Sequence, residues 1–272
     1  MSKAKISIVC CYNNQKIYDG FVKSLEGQTC EYKLIGLNNI GNKNFTSCAA
    51  AYNSVIKNLD TEFVIFSHQD ILLNEPNTLE KFLGFLENLQ PDDILGVAGV
   101  KFEGEFKVYS NIIHIHRDSL TKEFSQAGDD LEGDIMECDT LDECFFGGRA
   151  EHFKKNFFDE QVCSHWHLYA VEACLNAKKG GGRVYVCDVS MTHLSGGTVS
   201  YVFYRDFYKL CLKYHKDFPF IRTTCGATKT APFNAFSFLM RTHVWLLLEK
   251  FHMYNFLRKI LFYDKIKKFL KR

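Results

Sequence analysis

The chain has 272 residues, with 33 Lys and Arg against 32 Asp and Glu and a formal charge of +1. That length supports one full core with an appendage, or two domains; the near-neutral balance excludes the basic face that general nucleic-acid binding requires. Eleven cysteines, an odd number without a C-x-x-C pair, exclude zinc-ribbon and dithiol readings and point to a reducing compartment.

The start of the chain reads MSKAKISIVCCYNN. Its apolar run is too short for a signal peptide, and no stretch reaches the length of a membrane span, so a chain kept inside the cell is expected. Residues 6–11 form a β-branched, apolar run of the kind a buried parallel strand shows. A helix is expected over 19–28, a strand over 32–37 ending in Asn38-Asn39, and a helix over 47–59. Strand 62–66 runs into Ser67-His68-Gln69-Asp70, followed by a helix over 79–89 and a strand over 94–100. Strands separated by helices of ten to fifteen residues predict a parallel sheet with right-handed crossovers.

The middle of the chain is less regular. It predicts a strand over 107–116, an acidic, glycine-containing loop over 122–139, a short buried strand at Cys144-Phe145-Phe146 and a helical turn over 149–155. A helix over 165–179 is closed by Gly180-Gly181-Gly182, where glycine supplies the left-handed stop, and a strand covers 183–189. From residue 199 onward the pattern is helical, broken by Pro219 and Pro232.

In open parallel sheets, ligands bind beyond the carboxyl ends of the strands. Tyr12-Asn13-Asn14, Asn38-Asn39 and His68-Gln69-Asp70 all fall there. A carboxylate with a neighbouring imidazole, as in His68-x-Asp70, can hold a divalent cation that neutralises a diphosphate; the same triplet also suits a cap and a backbone contact. His114-x-His116 puts two imidazoles on one strand face, without a third ligand evident nearby. Glu172 is the one carboxylate of the 165–179 helix. Partial burial among Val171, Ala173, Cys174 and Leu175 would raise its pKa toward working pH.

The ordered set ISIVCCYNN, LIGLNN and EFVIFSHQDILL, then TLDECFFGGRAEHF, NFFDE, HWHLYAVEACLNAKKGG and VYVCDVSMTHLSGGT, resembles GT-A glycosyltransferases of the family 2 type, rhamnosyltransferase-like members included. The resemblance implies an α/β fold: a mostly parallel sheet flanked by helices, with a C-terminal helical extension. Residues 1–200 would be the catalytic domain, with a donor half to about 105 and an acceptor half over 106–200; the extension would span 201–272. It assigns Cys11, Tyr12, Asn13, Asn39, Asn53, His68, Gln69 and Asp70 to the nucleotide-sugar donor. His68-Gln69-Asp70 matches the D-x-D motif with His for the first Asp. Asp70, His193 and His68 would then hold a divalent metal, Mn2+ or Mg2+. Asp142, Glu143, Trp166 and His167 would face a glycan or glycolipid acceptor. Glu172 is the expected base, with Asp159 in reserve. Relatives often carry an acid two or three positions before Glu172, where this chain has Tyr169 and Ala170.

At the end of the chain, Phe262, Ile266, Phe269 and Leu270 share one helical face, with Lys265, Lys267, Lys268, Lys271 and Arg272 around them. Such a basic amphipathic end suits the inner face of an anionic membrane. The expectation is an inverting sugar transfer from a nucleoside diphosphate in bacterial surface polysaccharide or lipooligosaccharide synthesis, by a cytoplasmic, membrane-peripheral enzyme that takes no nucleic acid. A donor-binding subunit without turnover and a nucleotidyltransferase are the alternatives.

Overall fold

The computed structural model describes residues 4–115, 124–195 and 199–250. The first stretch alternates as β1 (Ile6–Tyr12), α1 (Gln15–Glu26), β2 (Tyr32–Asn38), α2 (Cys48–Ile56), β3 (Phe63–Ser67), β4 (Ile71–Leu73), α3 (Thr78–Glu87) and β5 (Ile94–Gly96). Shorter strands follow: β6 (Ala98–Phe102), β7 (Phe106–Ser110), β8 (Ile112–Ile115), β9 (Phe124–Gln126), β10 (Ile135–Glu137) and β11 (Thr140–Leu141). The chain continues through β12 (Phe145–Arg149), α4 (Ala150–Lys155), α5 (Tyr169–Lys179), β13 (Val184–Cys187), β14 (Met191–His193), α6 (Tyr201–Tyr214), β15 (Phe220–Thr223), β16 (Gly226–Lys229) and α7 (Pro232–Lys250).

A seven-stranded sheet in the order β10-β13-β5-β12-β3-β1-β2 carries the core. Its strands β2, β1 and β3 are parallel, β13 runs parallel to β5, and β12 lies antiparallel between β3 and β5. Five of the seven strands therefore point the same way, with β12 and β10 reversed. The strand order reverses at β1, whose neighbours are β2 and β3. In sheets of this kind ligands dock at such a reversal, beyond the carboxyl ends of the strands, here β1 and β3. All of β3 and the first five residues of β1 are buried, as strands covered on both faces must be.

Local chemistry explains the elements. Asn14 caps α1 by accepting the Ile17 N–H, and Ser47 caps α2 through the Ala50 N–H, each satisfying a donor that a helix start leaves orphaned. Beneath the sheet's carboxyl end lies an aromatic cluster: the Phe66 ring centroid is 4.7 Å from Tyr52, 4.9 Å from Phe153 and 5.1 Å from Phe158. A smaller sheet, β4-β14-β8-β9, stands beside the main one.

Several sequence expectations change. The 94–100 strand divides at Val97, with β5 in the large sheet and β6 in a three-stranded one. The 107–116 strand divides at Asn111 into β7 and β8, which also belong to different sheets. The helix expected from 165 begins at Tyr169, because Leu168 takes a left-handed conformation with φ +70°. The C-terminal region is not uniformly helical, since the β15–β16 hairpin separates α6 from α7. By internal contacts the chain divides into two compact units, one of residues 1–197 with 222–227 and one of 198–221 with 228–272. In the second, Phe238 of α7 packs edge-on against Tyr204 and Phe207 of α6. His116, Gly196-Gly197-Thr198 and the basic C-terminal segment lie outside the described residues.

Candidate active site

Three polar side chains converge where β3 passes into β4. His193 Nε2 lies 3.3 Å from Asp70 Oδ1, and His68 Nδ1 lies 3.9 Å from the same oxygen. Strand pairing produces this arrangement over a long sequence separation. Strand β14 pairs antiparallel with β4, setting His193 opposite Ile71, and the Leu194 N–H donates to the Asp70 carbonyl at 2.9 Å. The same β14 pairs in parallel with β8 and sets His193 opposite His114, the two rings 5.1 Å apart.

One ligand atom from each of His68, Asp70 and His193 lies within 4.8 Å of the others. Two imidazole nitrogens and one carboxylate oxygen converging at that range fit a divalent cation, and the nitrogen-rich set suits Mn2+ better than Mg2+. The ring of His68 is held from behind: its Nε2 meets the Tyr169 hydroxyl at 2.9 Å, which turns Nδ1 toward Asp70. Burial lowers the His68 pKa, against the pull of Asp70, so the imidazole is neutral and its nitrogen free to ligate. Burial pushes the Asp70 carboxyl upward, but the His193 hydrogen bond and the electrostatic pull of the His68 and His193 rings outweigh it and hold the group at about 2.

Gln69, between the two ligand candidates, points to the neighbouring strand end. Its Oε1 accepts the N–H groups of Asn13 and Asn14 at 3.1 and 3.0 Å, while its Nε2 donates to Asn13 Oδ1 at 2.7 Å. The β1 loop is thereby fixed to the β3–β4 turn. Tyr12 stacks on Tyr18, centroids 3.9 Å apart and planes 7° from parallel. The Cys11 thiol is pushed up to about 12 by burial, so it serves as a contact surface rather than a nucleophile.

A carboxylate pair, Asp142 and Glu143, lies near this cluster. Asp142 accepts from the Thr224 hydroxyl at 2.7 Å and from the Cys144 N–H at 3.1 Å. Burial pushes its pKa up, yet Thr224, His68 and His193 together bring it below the usual value. Glu143 behaves oppositely: burial and the charge of Asp142 raise it to about 8, opposed by a hydrogen bond from the Leu168 N–H to Oε1. His167 lies within electrostatic reach of His68, and Trp166 is part-buried beside it.

Other expected site residues have different work. Asn39 is fully buried and accepts the Asn44 and Phe45 N–H groups, shaping the loop after β2. Asn53 bonds the Phe158 backbone and the Glu160 carboxylate, bracing the 158–160 loop. Asp159 accepts from the Gln161 and Val162 N–H groups as a turn cap. Glu172 is only 1% exposed; the sequence led to partial burial, and the helix is instead enclosed on nearly every side. Sequence reasoning missed Tyr169, read only as a missing acid, and Thr224, which reaches Asp142 across 82 positions. No local pattern reports a contact at that separation. His114 carried a visible signal as half of His114-x-His116, but its neighbour is His193, which only sheet pairing reveals. A separate cavity of about 610 Å³, lined by Asp92, Gly182 and Arg183, lies at the amino ends of β5 and β13, away from this chemistry.

Comparison with known proteins agrees with this geometry. A family described as glycosyltransferase-like matches residues 7–195. A protein of Fuscovulum blasticum, "ATP synthase subunits region ORF 6", is 27% identical over 164 residues, which is 58% of this chain and 61% of that protein. Among solved structures, S. aureus TarS 1–349 in complex with UDP-GlcNAc superposes with a TM-score of 0.52 at 18% identity, covering 77% of this chain and 66% of that one. GalNAc-T7 with UDP, GalNAc and Mn2+ gives 0.52 at 10% identity, over 73% and 45% of the two chains. The chain thus spans just under two thirds of the first relatives it matches, and the structural likenesses establish the GT-A fold.

Proposed function

The chain belongs to the glycosyltransferase-like family, and from that premise we propose that it transfers a sugar, with inversion, from a nucleoside diphosphate donor to a hydroxyl of a glycan or glycolipid. The observation that carries the reading is the His68–Asp70–His193 cluster beyond the carboxyl ends of β1 and β3. Asp70, His193 and His68 would hold the cation, and a bound cation supplies charge neutralisation for a departing diphosphate. The clamp between Gln69 and Asn13 keeps the loop after β1 in register with those ligands. Tyr12, stacked on Tyr18, offers a flat wall for a base, and half-buried Cys11 precedes it on β1. Asp142, kept ionised by Thr224, offers the acceptor a strong hydrogen-bond acceptor for sugar hydroxyls.

The second unit supports contact with an anionic lipid surface. On α7, Phe233, Phe236, Met240, Val244 and Leu247 are all exposed, Phe233 at 82%. Their spacing of three and four residues aligns them along one helical face. No helix among the described residues is long and apolar enough to cross a membrane, so this stripe suits an interfacial lie. The chain after it, residues 251–272, carries seven Lys and Arg and one Asp. A setting in bacterial surface polysaccharide or lipooligosaccharide synthesis, with a lipid-linked acceptor, is consistent with such a surface.

The deciding experiment incubates the full chain with a panel of UDP-, dTDP- and GDP-sugars, with and without Mn2+, and reads release of nucleoside diphosphate. Cation-stimulated release from one donor is expected. Tight donor binding without any release, with or without sugar acceptors, would instead identify a donor-binding subunit and sink the reading.

A further inference from the structure

We propose that the base for this transfer is Glu143, carried by the β11–β12 connection, and not an acid of helix α5. The inference rests on the glycosyltransferase reading above. Three observations support it.

The first is position. The Leu168 N–H, at the start of α5, donates to Glu143 Oε1. A carboxylate from another part of the chain therefore sits at the amino end of this helix, beside Tyr169 and Ala170, neither of which is acidic. Glu172, the acid of that helix's own first turn, is only 1% exposed.

The second is backbone geometry. Leu168 is one of two non-glycine residues with positive φ among the described residues. A left-handed leucine is strained, and strain of this kind persists where surrounding structure enforces it, commonly at working sites. Here it aims the Leu168 N–H at the carboxylate. One oxygen of Glu143 is thus fixed in place, and Oε2 is left to receive a proton.

The third is the contrast within the carboxylate pair. Asp142 is held low by Thr224 and the two imidazoles, whereas Glu143 is raised to about 8 by burial and by Asp142. Neighbouring acids driven apart in this way divide the labour, one as a fixed anion and one as the proton carrier. In the step itself, the acceptor oxygen bonds to the anomeric carbon while its proton passes to Glu143 Oε2. The bond from that carbon to the diphosphate oxygen breaks, and its electron pair leaves on the diphosphate.

The test uses the full chain with the donor that the panel identifies, water and n-octyl glycosides serving as acceptors. Glu143→Gln should lower kcat by about 10²–10⁴-fold while leaving the Kd for the intact donor within about twofold. Glu143→Ala should regain rate when formate is added, a rescue that a merely structural role would not give. Glu172→Gln should keep near-native kcat. Should E143Q turn over like the native chain, or E172Q alone show the large kcat loss at native donor affinity, Glu143 is not the base even though the transferase reading stands. If the native chain moves no sugar from any donor, that reading fails first and the assignment falls with it.

Discussion

Asp70 is the residue on which the His68–Asp70–His193 cluster turns, because both imidazoles approach the same carboxylate oxygen. Asp70→Asn keeps the shape and removes the charge. It should weaken Mn2+ binding by at least tenfold, measured by electron paramagnetic resonance of free Mn2+; unchanged affinity would mean that the cluster is not the cation site. Glu143 gives a prediction with a definite pH sign. Its folded pKa of about 8 lies above the ordinary value of 4.5, so between those pH values the folded chain keeps a proton that the unfolded chain releases. Stability linked to Glu143 is therefore greatest below about 4.5 and is lost as pH rises toward 8. The melting temperature of Glu143→Gln relative to the native chain should accordingly rise between pH 5 and pH 8. A constant difference across that range would contradict the raised pKa. With Glu143 as the proposed base, kcat should instead climb with pH through about 8, since a base must be ionised.

At the level of elements, two junctions decide whether the site forms. Strand β12 fits between β3 and β5 because Gly147 has no side chain: a Cβ there would lie 2.0 Å from the Val64 carbonyl oxygen. Gly147→Ala must push the strands apart and should cost about 1–3 kcal/mol or more, seen as a lower urea midpoint at unchanged slope. The hairpin tip is the other junction. Thr224, between β15 and β16, donates to Asp142, and a hydrogen bond to a charged group is worth about 1.5–3 kcal/mol. Thr224→Val should raise the acceptor KM by about tenfold or more while leaving donor binding intact. A kcat loss without a KM change would move Thr224 from acceptor recognition to some other role.

Across the whole molecule, the question is how a chain without a spanning helix among its described residues would meet a lipid-linked acceptor. The α7 stripe is the relevant surface, and it can be broken without touching the residues of the site. Phe233→Asp with Val244→Asp should reduce flotation with phosphatidylglycerol vesicles several-fold and leave turnover of a water-soluble acceptor unchanged. Equal flotation of the native and doubly substituted chains would remove the membrane reading. Raised salt should weaken binding of the native chain, because the basic segment beyond α7 contributes electrostatically.

The fold class was legible in the chain because its signals are local. The β-branched runs of β1 and β3, the helix spacing between them and the polar residues ending each strand all lie within short windows. Asp70 and His68 could be picked out for that reason, and His193 through the order of motifs that the resemblance supplied. Tertiary structure alone decided which partners those residues have. Asn39 and Asn53 stand where a donor contact was expected, yet loop backbone claims their side chains. Glu172 has the right chemistry but is enclosed by packing that no periodicity reports. Glu143 reaches the amino end of a helix 25 residues away, and Thr224 reaches Asp142 across 82. The physical reason is common to these cases: propensity and spacing act over a few residues, whereas burial, strand pairing and the fields that shift a carboxyl are set by neighbours brought together only when the sheet closes.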